Sequence, residues 1–446
     1  MSRPTFYRRG AEQRLAEALE DSPVVLIHGP RQCGKTTLAQ YACTADRATW
    51  AEDSTAWAGT MPASGPGHRD YAYISFDDAV VRGGARADPA GFVADLPERV
   101  ILDEVQHVPA LFEAIKLEVD RRPVPGRFLL TGSTNVLLLP TLSESLAGRL
   151  QIVPLYPLTQ RELANPAAGG ASWLGTGFLN DLFGDGFGVR RTERLGKQLI
   201  DRIVAGGFPA ALRRPTAVRQ AEWHHNYIEA RIQRDVRDLT RIRSLDVLPA
   251  LLTSTASQTA RLLNLSSLAT PFSLSRPTIG EYVTLLERLF LLERLRPWHS
   301  NRLSRLIKTP KLHVGDTGLA SALLGVDAAS LAADRTLAGR LLETFAFQEL
   351  RRQASWHGAS TRFFHFRDKE GAEVDIVIER GARSLAGVEV KAGATVARAD
   401  FSGLRKLARA AGEHFVRGVV LYDGEISTSF GERMYAVPVR RLWETA

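Results

Sequence analysis

Between Val24 and Leu158 the chain alternates short apolar runs with helix-length amphipathic stretches. The runs are "VVLIHG", "YAYISFDD", "RVILDE", "RFLLTGS" and "LQIVPL". Strands without an inside/outside alternation belong to a parallel sheet covered on both faces, so this part predicts an α/β layer. From Arg191 to Pro297 the pattern turns mostly helical. "NYIEARIQRDVRDLTRIR" predicts a long helix of alternating charge. "LLTSTASQTARLLN" and "RPTIGEYVTLLERLFLLERL" predict a helix pair, with Pro277 in the first turn of the second. Beyond Arg302 strands and helices mix again. There, Val388 and Val390 of "GVEVKAG" point to one face and Glu389 and Lys391 to the other, while Asp375 opposes Val374, Ile376 and Ile378 in "AEVDIVIE". Gly381 and Gly387 bracket a turn between the two strands. The glycine-rich "NPAAGGASWLGTGFLNDLFGDGFG" (165–188) is expected to be a mobile loop or boundary. The expected organisation is 1–164, an ATPase domain; 165–190, a loop or linker; 191–300, a helical segment; and 301–446, a second α/β domain.

With 446 residues, two or three cores are expected. A net charge of +8 favours an anionic partner such as DNA. Two cysteines, Cys33 and Cys43, make neither a disulfide framework nor a zinc-ligand pattern and suit a reducing compartment. No apolar run reaches the roughly 18 residues that span a bilayer, and the opening "MSRPTFYRRGAEQRL" lacks an apolar signal core. A cytoplasmic protein without membrane contact is expected.

"GPRQCGKTT" follows an apolar strand and opens a helix, which is the setting of a phosphate-binding loop. Gly29 and Gly34 let backbone N–H groups turn inward around phosphates, Lys35 reaches the outer ones, and Thr36, followed by Thr37, offers a hydroxyl to Mg²⁺. Thr36 and Asp103 are the expected Mg²⁺ residues of an ATP site, and Glu104 is the expected base for the attacking water. Cys33, inside the loop, reads as a small filler rather than a redox sensor. Ser133, ahead of Thr131 and Asn135, is placed to sense the γ-phosphate. Arg149 is a candidate arginine finger supplied by a neighbouring subunit, which implies a homo-oligomer.

Taken together, "GPRQCGKTTL", "ILDEVQHVP", "LLTGSTNVLL", "LAGRLQIVPLYPLTQRE" and "GGFP" resemble a group of bacterial and archaeal AAA+ ATPases with a C-terminal domain long labelled as of unknown function. The likeness continues through "YIEARIQRDVRDL", "KLHVGDTGLA", "GRLLETFAFQEL" and "EVDIVIE…VEVKAG". It implies a P-loop AAA+ core with a parallel sheet, a middle segment of winged-helix character and a restriction-endonuclease-like α/β C-terminal domain. Thr44–Asp70 and the stretch from Asn165 look like insertions relative to it.

Two further features bear on partners. "RLRPWHSNRLSRLIKTPK" (Arg294–Lys311) carries six Lys or Arg and no acid, as a phosphate-backbone contact would, with Arg276 and Thr278 at the start of a helix that could read DNA. If the two C-terminal strands pair, Asp375 and Glu389 converge on Mg²⁺ or Mn²⁺ beside Lys391, the D…E-x-K arrangement that resembles restriction-type nucleases. Lys391 would then act catalytically on the scissile phosphate. Glu343 matches the extra helix carboxylate of such folds, with Glu349 the weaker candidate. The sequence thus predicts an ATP-hydrolysing protein that binds and remodels or translocates on DNA, with nuclease activity left open. The alternative is a nucleotide-controlled switch or scaffold that binds a protein partner through a non-catalytic nuclease fold.

Overall fold

A computed structural model of the chain describes residues 6–43, 71–133, 146–164, 177–235, 246–300, 309–358 and 360–444. It divides into two compact units, one within residues 1–158 and one within 173–446 that also takes in 159–164. The whole is a mixed α/β protein with a parallel-sheet core in the first unit and a β-rich C-terminal part in the second.

The first unit is built on β1 (Val24–His28), β2 (Ala72–Ser75), β3 (Val100–Asp103), β4 (Phe128–Gly132) and β5 (Leu150–Pro154). They form one all-parallel sheet in the order β2-β3-β4-β1-β5. Every residue of β1, β3 and β4 is buried, as the unbroken apolar runs require. Helices α1 (Glu12–Asp21), α2 (Lys35–Cys43) and α3 (Leu111–Arg121) belong to this unit. Leu111, Phe112, Ile115 and Val119 of α3 form the apolar stripe of its buried face and pack with Val100, Leu102, Phe128 and Leu130. The carboxyl ends of β1 and β3 lie on one edge of this sheet, where open α/β sheets bind ligands.

In the second unit, the short helix α4 (Gln160–Ala164) is followed along the chain by β6 (Arg190–Arg191) and then by a small helix-and-strand module. That module runs α5 (Val247–Ser257), β7 (Arg261–Leu262), α6 (Leu265–Ala269), α7 (Arg276–Arg288), β8 (Leu292–Leu295) and β9 (Lys311–Val314). Its antiparallel sheet has the order β7-β9-β8. Ser275 caps α7 by accepting from the Thr278 N–H, and Pro277 sits in its first turn as the pattern predicts.

Next come α8 (Arg335–Ala354), β10 (Thr361–Arg367), β11 (Glu373–Arg380), β12 (Ser384–Lys391), α9 (Ser402–Ala411), β13 (Phe415–Tyr422), β14 (Ile426–Ser429) and β15 (Met434–Pro438). These strands make a mixed sheet in the order β10-β11-β12-β13-β15-β14-β6, antiparallel from β10 to β12 and parallel from β12 through β13 to β15. Leu341, Leu342 and Phe345 of α8 share one core with Ile376, Ile378, Val388 and Val419. Leu404 and Leu407 of α9 share another with Val374, Val377, Leu385 and Val420.

Several expectations are corrected here. The boundary at 300/301 does not separate two domains, because it would cut the paired strands β8 and β9, and one core runs from Phe178 through Leu252 and Leu286 to Trp443. By their contacts residues 159–164 group with the second unit. Within the glycine-rich stretch, Phe178–Phe183 is a helix whose Phe178, Leu179 and Leu182 are core residues, so that part of the segment is packed structure and no loop. Composition obscured an apolar triplet at helical spacing. Residues 165–176 and the 44–70 insertion lie outside the described residues.

Val374 faces away from Ile376 and Ile378, with α9 instead of α8. Phe364 pairs with Val377 and Phe366 with Val374, so β11 carries one extra residue at Asp375–Ile376. A bulge of this kind breaks the two-residue period on which the sequence reading rested.

Close approach of α9 to β11 depends on Gly403, where a Cβ would meet the Glu373 carbonyl oxygen at 2.0 Å. Gly403→Ala is expected to lower stability by about 1–3 kcal/mol in urea denaturation. Gly339→Ala, in α8 with open space around its Cα, is expected to raise it by about 0.5–1 kcal/mol.

Candidate functional site

The loop from Gly29 to Gly34 joins β1 to α2, so the N-terminus of α2 is presented at the carboxyl edge of the parallel sheet. Gly34 has φ +98°, which only glycine adopts without strain, and at Gly29 a Cβ would lie 1.8 Å from the Leu155 carbonyl oxygen beyond β5. Arg9 fastens the loop from outside, donating to the Cys33 carbonyl and to the Tyr156 carbonyl, both at 2.7 Å. Burial pushes the Cys33 thiol up, away from a reactive thiolate, which fits a packing role.

Lys35 is only 4% exposed, and its ammonium donates to the loop's own carbonyls, Gly29 at 3.2 Å and Pro30 at 2.8 Å. The charge is held where phosphate oxygens compete for it. Thr37 is half-buried in the first turn of α2.

Asp103 closes β3 and accepts three hydroxyls. Thr36 donates at 2.9 Å, Tyr73 at 2.8 Å, and Thr131 makes a short third bond. Burial pushes this carboxyl up, and the bonds from Thr131 and Tyr73 offset part of the rise. The Thr36 hydroxyl and the Asp103 carboxylate, brought together from the helix and the strand, fit the Mg²⁺ that accompanies a nucleoside triphosphate. That ion supplies charge neutralisation at the outer phosphates when bound.

Glu104 lies just past the strand in a left-handed conformation, φ 58° and ψ 46°. For a non-glycine residue this costs on the order of 1–2 kcal/mol, and such strain concentrates at working sites. Its N–H donates to Thr131 at 3.1 Å, while its carboxylate accepts from Ser133 at 2.8 Å and from the Gln106 amide. Burial pushes the Glu104 carboxyl up, but the Lys35 charge, the Gln106 bond, Arg31 and Ser133 outweigh it and hold it below its usual range. A carboxylate so held is ionised and can orient a water by accepting its hydrogen bond.

Ser133, expected beside the γ-phosphate, is thus bonded to the base itself, and Thr131 to both Asp103 and the Glu104 backbone. Asn135 lies outside the described residues. Gln106, Tyr73 and Arg9 were not foreseen. For Gln106 the signal was its place two residues beyond Glu104, readable only once the tight turn after β3 is known. Arg149 precedes β5 at the end of the sheet away from the loop, where it pairs with Asp120. It therefore does not serve the phosphate site of its own chain.

In the second unit the structure brings Glu343, Asp375, Glu389 and Lys391 to one end of the large sheet and adds two residues the sequence reading missed, Lys311 and Glu373. The Lys311 ammonium lies 2.8 Å from Glu343, 2.6 Å from Glu373 and 3.0 Å from Asp375. Pairing of β11 with β12 stops at Ile376 opposite Val388, and the second Asp375 oxygen accepts the Val390 N–H at 2.9 Å. Lys391 donates to Glu389 at 2.8 Å. Burial opposes the charge on Lys311, but Asp375, Glu343 and Glu373 outweigh it and raise its pKa. Burial and then the Asp375 charge push Glu389 up to about 8.

The expectation that Glu343, Asp375 and Glu389 hold Mg²⁺ or Mn²⁺ is not met by this arrangement, because a lysine ammonium already fills the cluster. Among the described residues no group of His, Cys, Asp and Glu side chains has the arrangement of a metal cage. Glu349 is elsewhere, accepting from the Gln160 N–H and the Gln353 amide.

The basic run is also partly internal. Arg294 pairs with Glu287 at 2.8 Å, Trp298 is a core residue and Lys311 is in the carboxylate cluster. Arg296 is exposed, and 301–308 lie outside the described residues. Among the described residues no helix is long and apolar enough to cross a membrane.

Residues 21–164 match the model of an AAA domain. Two domains of unknown function match further on, DUF8612 over residues 196–330 and DUF4143 over 338–442. Uncharacterized proteins of Mycobacterium bovis and Mycobacterium tuberculosis are each 28% identical to this chain over 98% of its length and 85% of theirs. A Walker-type ATPase of Pyrococcus abyssi is a similar solved structure, at 15% identity and TM-score 0.39, covering 71% of this chain and 95% of that one. The phosphate loop, the Asp103–Glu104 pair and the matched AAA domain define an AAA-type ATPase domain that binds and hydrolyses nucleotide.

The Gly29 contact gives a direct check. Gly29→Ala is expected to weaken binding of a fluorescent ATP analogue by about tenfold or more, with far-UV circular dichroism unchanged, because the added methyl forces the loop off the Leu155 carbonyl.

Proposed function

We propose that the protein uses ATP hydrolysis to bind and remodel or translocate on DNA, as an oligomer in which Arg149 of one subunit completes the site of the next. The observation that carries the ATP half is the meeting of Thr36, Asp103 and Glu104 at the mouth of the phosphate loop. Glu104 accepts the proton of the attacking water and Lys35 neutralises the transferred phosphoryl group, while Thr36 and Asp103 would hold the Mg²⁺ that would supply further charge there.

Support for DNA is of a different kind. The module α5-β7-α6-α7-β8-β9, with its β7-β9-β8 sheet, has the element order of a winged helix. Its second long helix begins with exposed Arg276, and Arg296 is exposed beyond β8. The net charge of +8 points the same way. The order α8-β10-β11-β12-α9-β13 supports a restriction-endonuclease-like reading of the C-terminal part.

A specific observation favours a second reading. With Lys311 seated among the carboxylates, the C-terminal part suits a docking role, in which ATP state controls binding of a protein partner and nothing is cut.

ATP turnover with and without double-stranded DNA separates the readings. Glu104→Gln is expected to retain ATP binding and lose roughly 10²–10⁴-fold in turnover. Wild-type turnover is expected to rise with DNA at low salt, and the rise to vanish in an Arg276→Ala/Arg296→Ala variant. Full turnover by Lys35→Ala would overturn the ATP assignment. Turnover indifferent to DNA would transfer the reading to the protein-binding switch.

The finger has its own check. Arg149→Ala is expected to lose roughly 10³–10⁵-fold in turnover, and mixing it with Glu104→Gln to restore part of the activity through mixed interfaces. No recovery on mixing would count against supply in trans.

A further inference from the structure

The carboxylate cluster of the second unit can be followed further than the fold analogy takes it. Lys311 is 2% exposed and opens β9, the middle strand of its small sheet. It is in register with Leu262 of β7 on one side and Leu295 of β8 on the other. Pairing on both sides fixes the backbone of Lys311 beside the cluster.

An ammonium has three N–H donors, and three carboxylates stand at 2.6, 2.8 and 3.0 Å from this one. Asp375 uses its other oxygen on the Val390 N–H, and Glu389 uses one of its own on Lys391. Oε2 of Glu389 is a buried carboxylate oxygen without a hydrogen-bond partner. Mg²⁺ is held through one or two carboxylates with waters completing its six positions, so here it would have to draw on the Glu343 and Asp375 oxygens that Lys311 already engages. An ion drawn to Glu343 and Asp375 would have to occupy the space of the Lys311 ammonium, against like-charge repulsion at low dielectric.

We propose that Lys311 is a tethered cation standing where this cluster would otherwise hold a divalent metal, so that the native second unit takes up neither Mg²⁺ nor Mn²⁺ there. The carboxylates are then a counter-ion nest for a lysine from β9, and the C-terminal part lacks metal-dependent phosphodiester cleavage. The same contact fastens two sequence-distant parts of the unit, since Lys311 lies 32 residues from Glu343 and 64 from Asp375. The inference deepens the non-cleaving reading but does not require that a protein partner exist, and it holds whether or not DNA is bound.

Mn²⁺ binding by the full chain without nucleotide, read from the electron paramagnetic resonance of free Mn²⁺, tests it. The proteins compared are wild type, Asp375→Asn, Lys311→Ala and Lys311→Ala/Asp375→Asn. Asn at 375 keeps an acceptor for the Val390 N–H. Wild type and Asp375→Asn are expected to bind alike, with no Asp375-dependent site. Lys311→Ala is expected to gain one Mn²⁺ site, about tenfold or more tighter than any in wild type, and the double variant to lose it.

A wild-type site abolished by Asp375→Asn would overturn the proposal. So would a folded Lys311→Ala protein that gains no site, since something other than the ammonium would then exclude the metal. Should Lys311→Ala fail to fold by circular dichroism, wild type against Asp375→Asn decides alone: equal binding upholds the proposal and an Asp375-dependent site ends it.

Discussion

Lys35, Asp103 and Lys311 are each at least 95% withdrawn from solvent, and each would be ionised in water. A buried ion of this size costs several kcal/mol unless nearby groups replace its hydration. The two units meet that requirement in opposite ways. Around Lys35 and Asp103 the hydrogen-bonding partners are neutral, carbonyls for the ammonium and three hydroxyls for the carboxylate, with the Glu104 carboxylate near enough to feel the Lys35 charge. Neutral partners leave charge for a ligand to answer. Around Lys311 the partners are themselves ions, so the site satisfies itself and has little attraction left for a further cation. The difference in ligand appetite follows from this difference in partners.

Strain at Glu104 belongs to the same logic. A left-handed φ turns its carboxylate back toward Ser133 and Gln106, while its N–H is tied to Thr131, which in turn holds Asp103. Base and Mg²⁺-side carboxylate are therefore linked through one hydroxyl, that of Thr131. A change at position 131 would disturb both functions of the site together, whereas one at Ser133 or Gln106 would act on the base alone.

What the sequence disclosed and what it hid divide along chain distance. The phosphate loop was readable because its strand, turn and helix are contiguous, from Val24 to Cys43, and the glycine positions carry the geometry locally. Asp103 and Glu104 were readable because they end an apolar run. Lys311 was not, because its partners lie 32 and 64 residues away and its own run of basic neighbours suggested an exposed stripe. The phase of β11 was misread for another reason. A single extra residue at Asp375–Ile376 flips Val374 to the α9 face, and nothing in the local composition marks it. That bulge matters for the cluster, because pairing with β12 ends there and the Asp375 carboxylate takes over the Val390 N–H.

The matched domains of the second unit, 196–330 and 338–442, can now be set against its packing. One core contains Leu286, Leu312 and Val314 from the first stretch and Leu342, Phe347 and Val388 from the second. Lys311 lies in the first stretch, and its carboxylates Glu343, Glu373 and Asp375 all lie in the second. Removing one member of a buried ionic set leaves the rest uncompensated, which is more damaging than never having had the set. Loss of Lys311 is therefore expected to cost stability, since Glu343 and Asp375 would lose their buried counter-charge. The shared core and this cluster both cross the boundary between the two stretches.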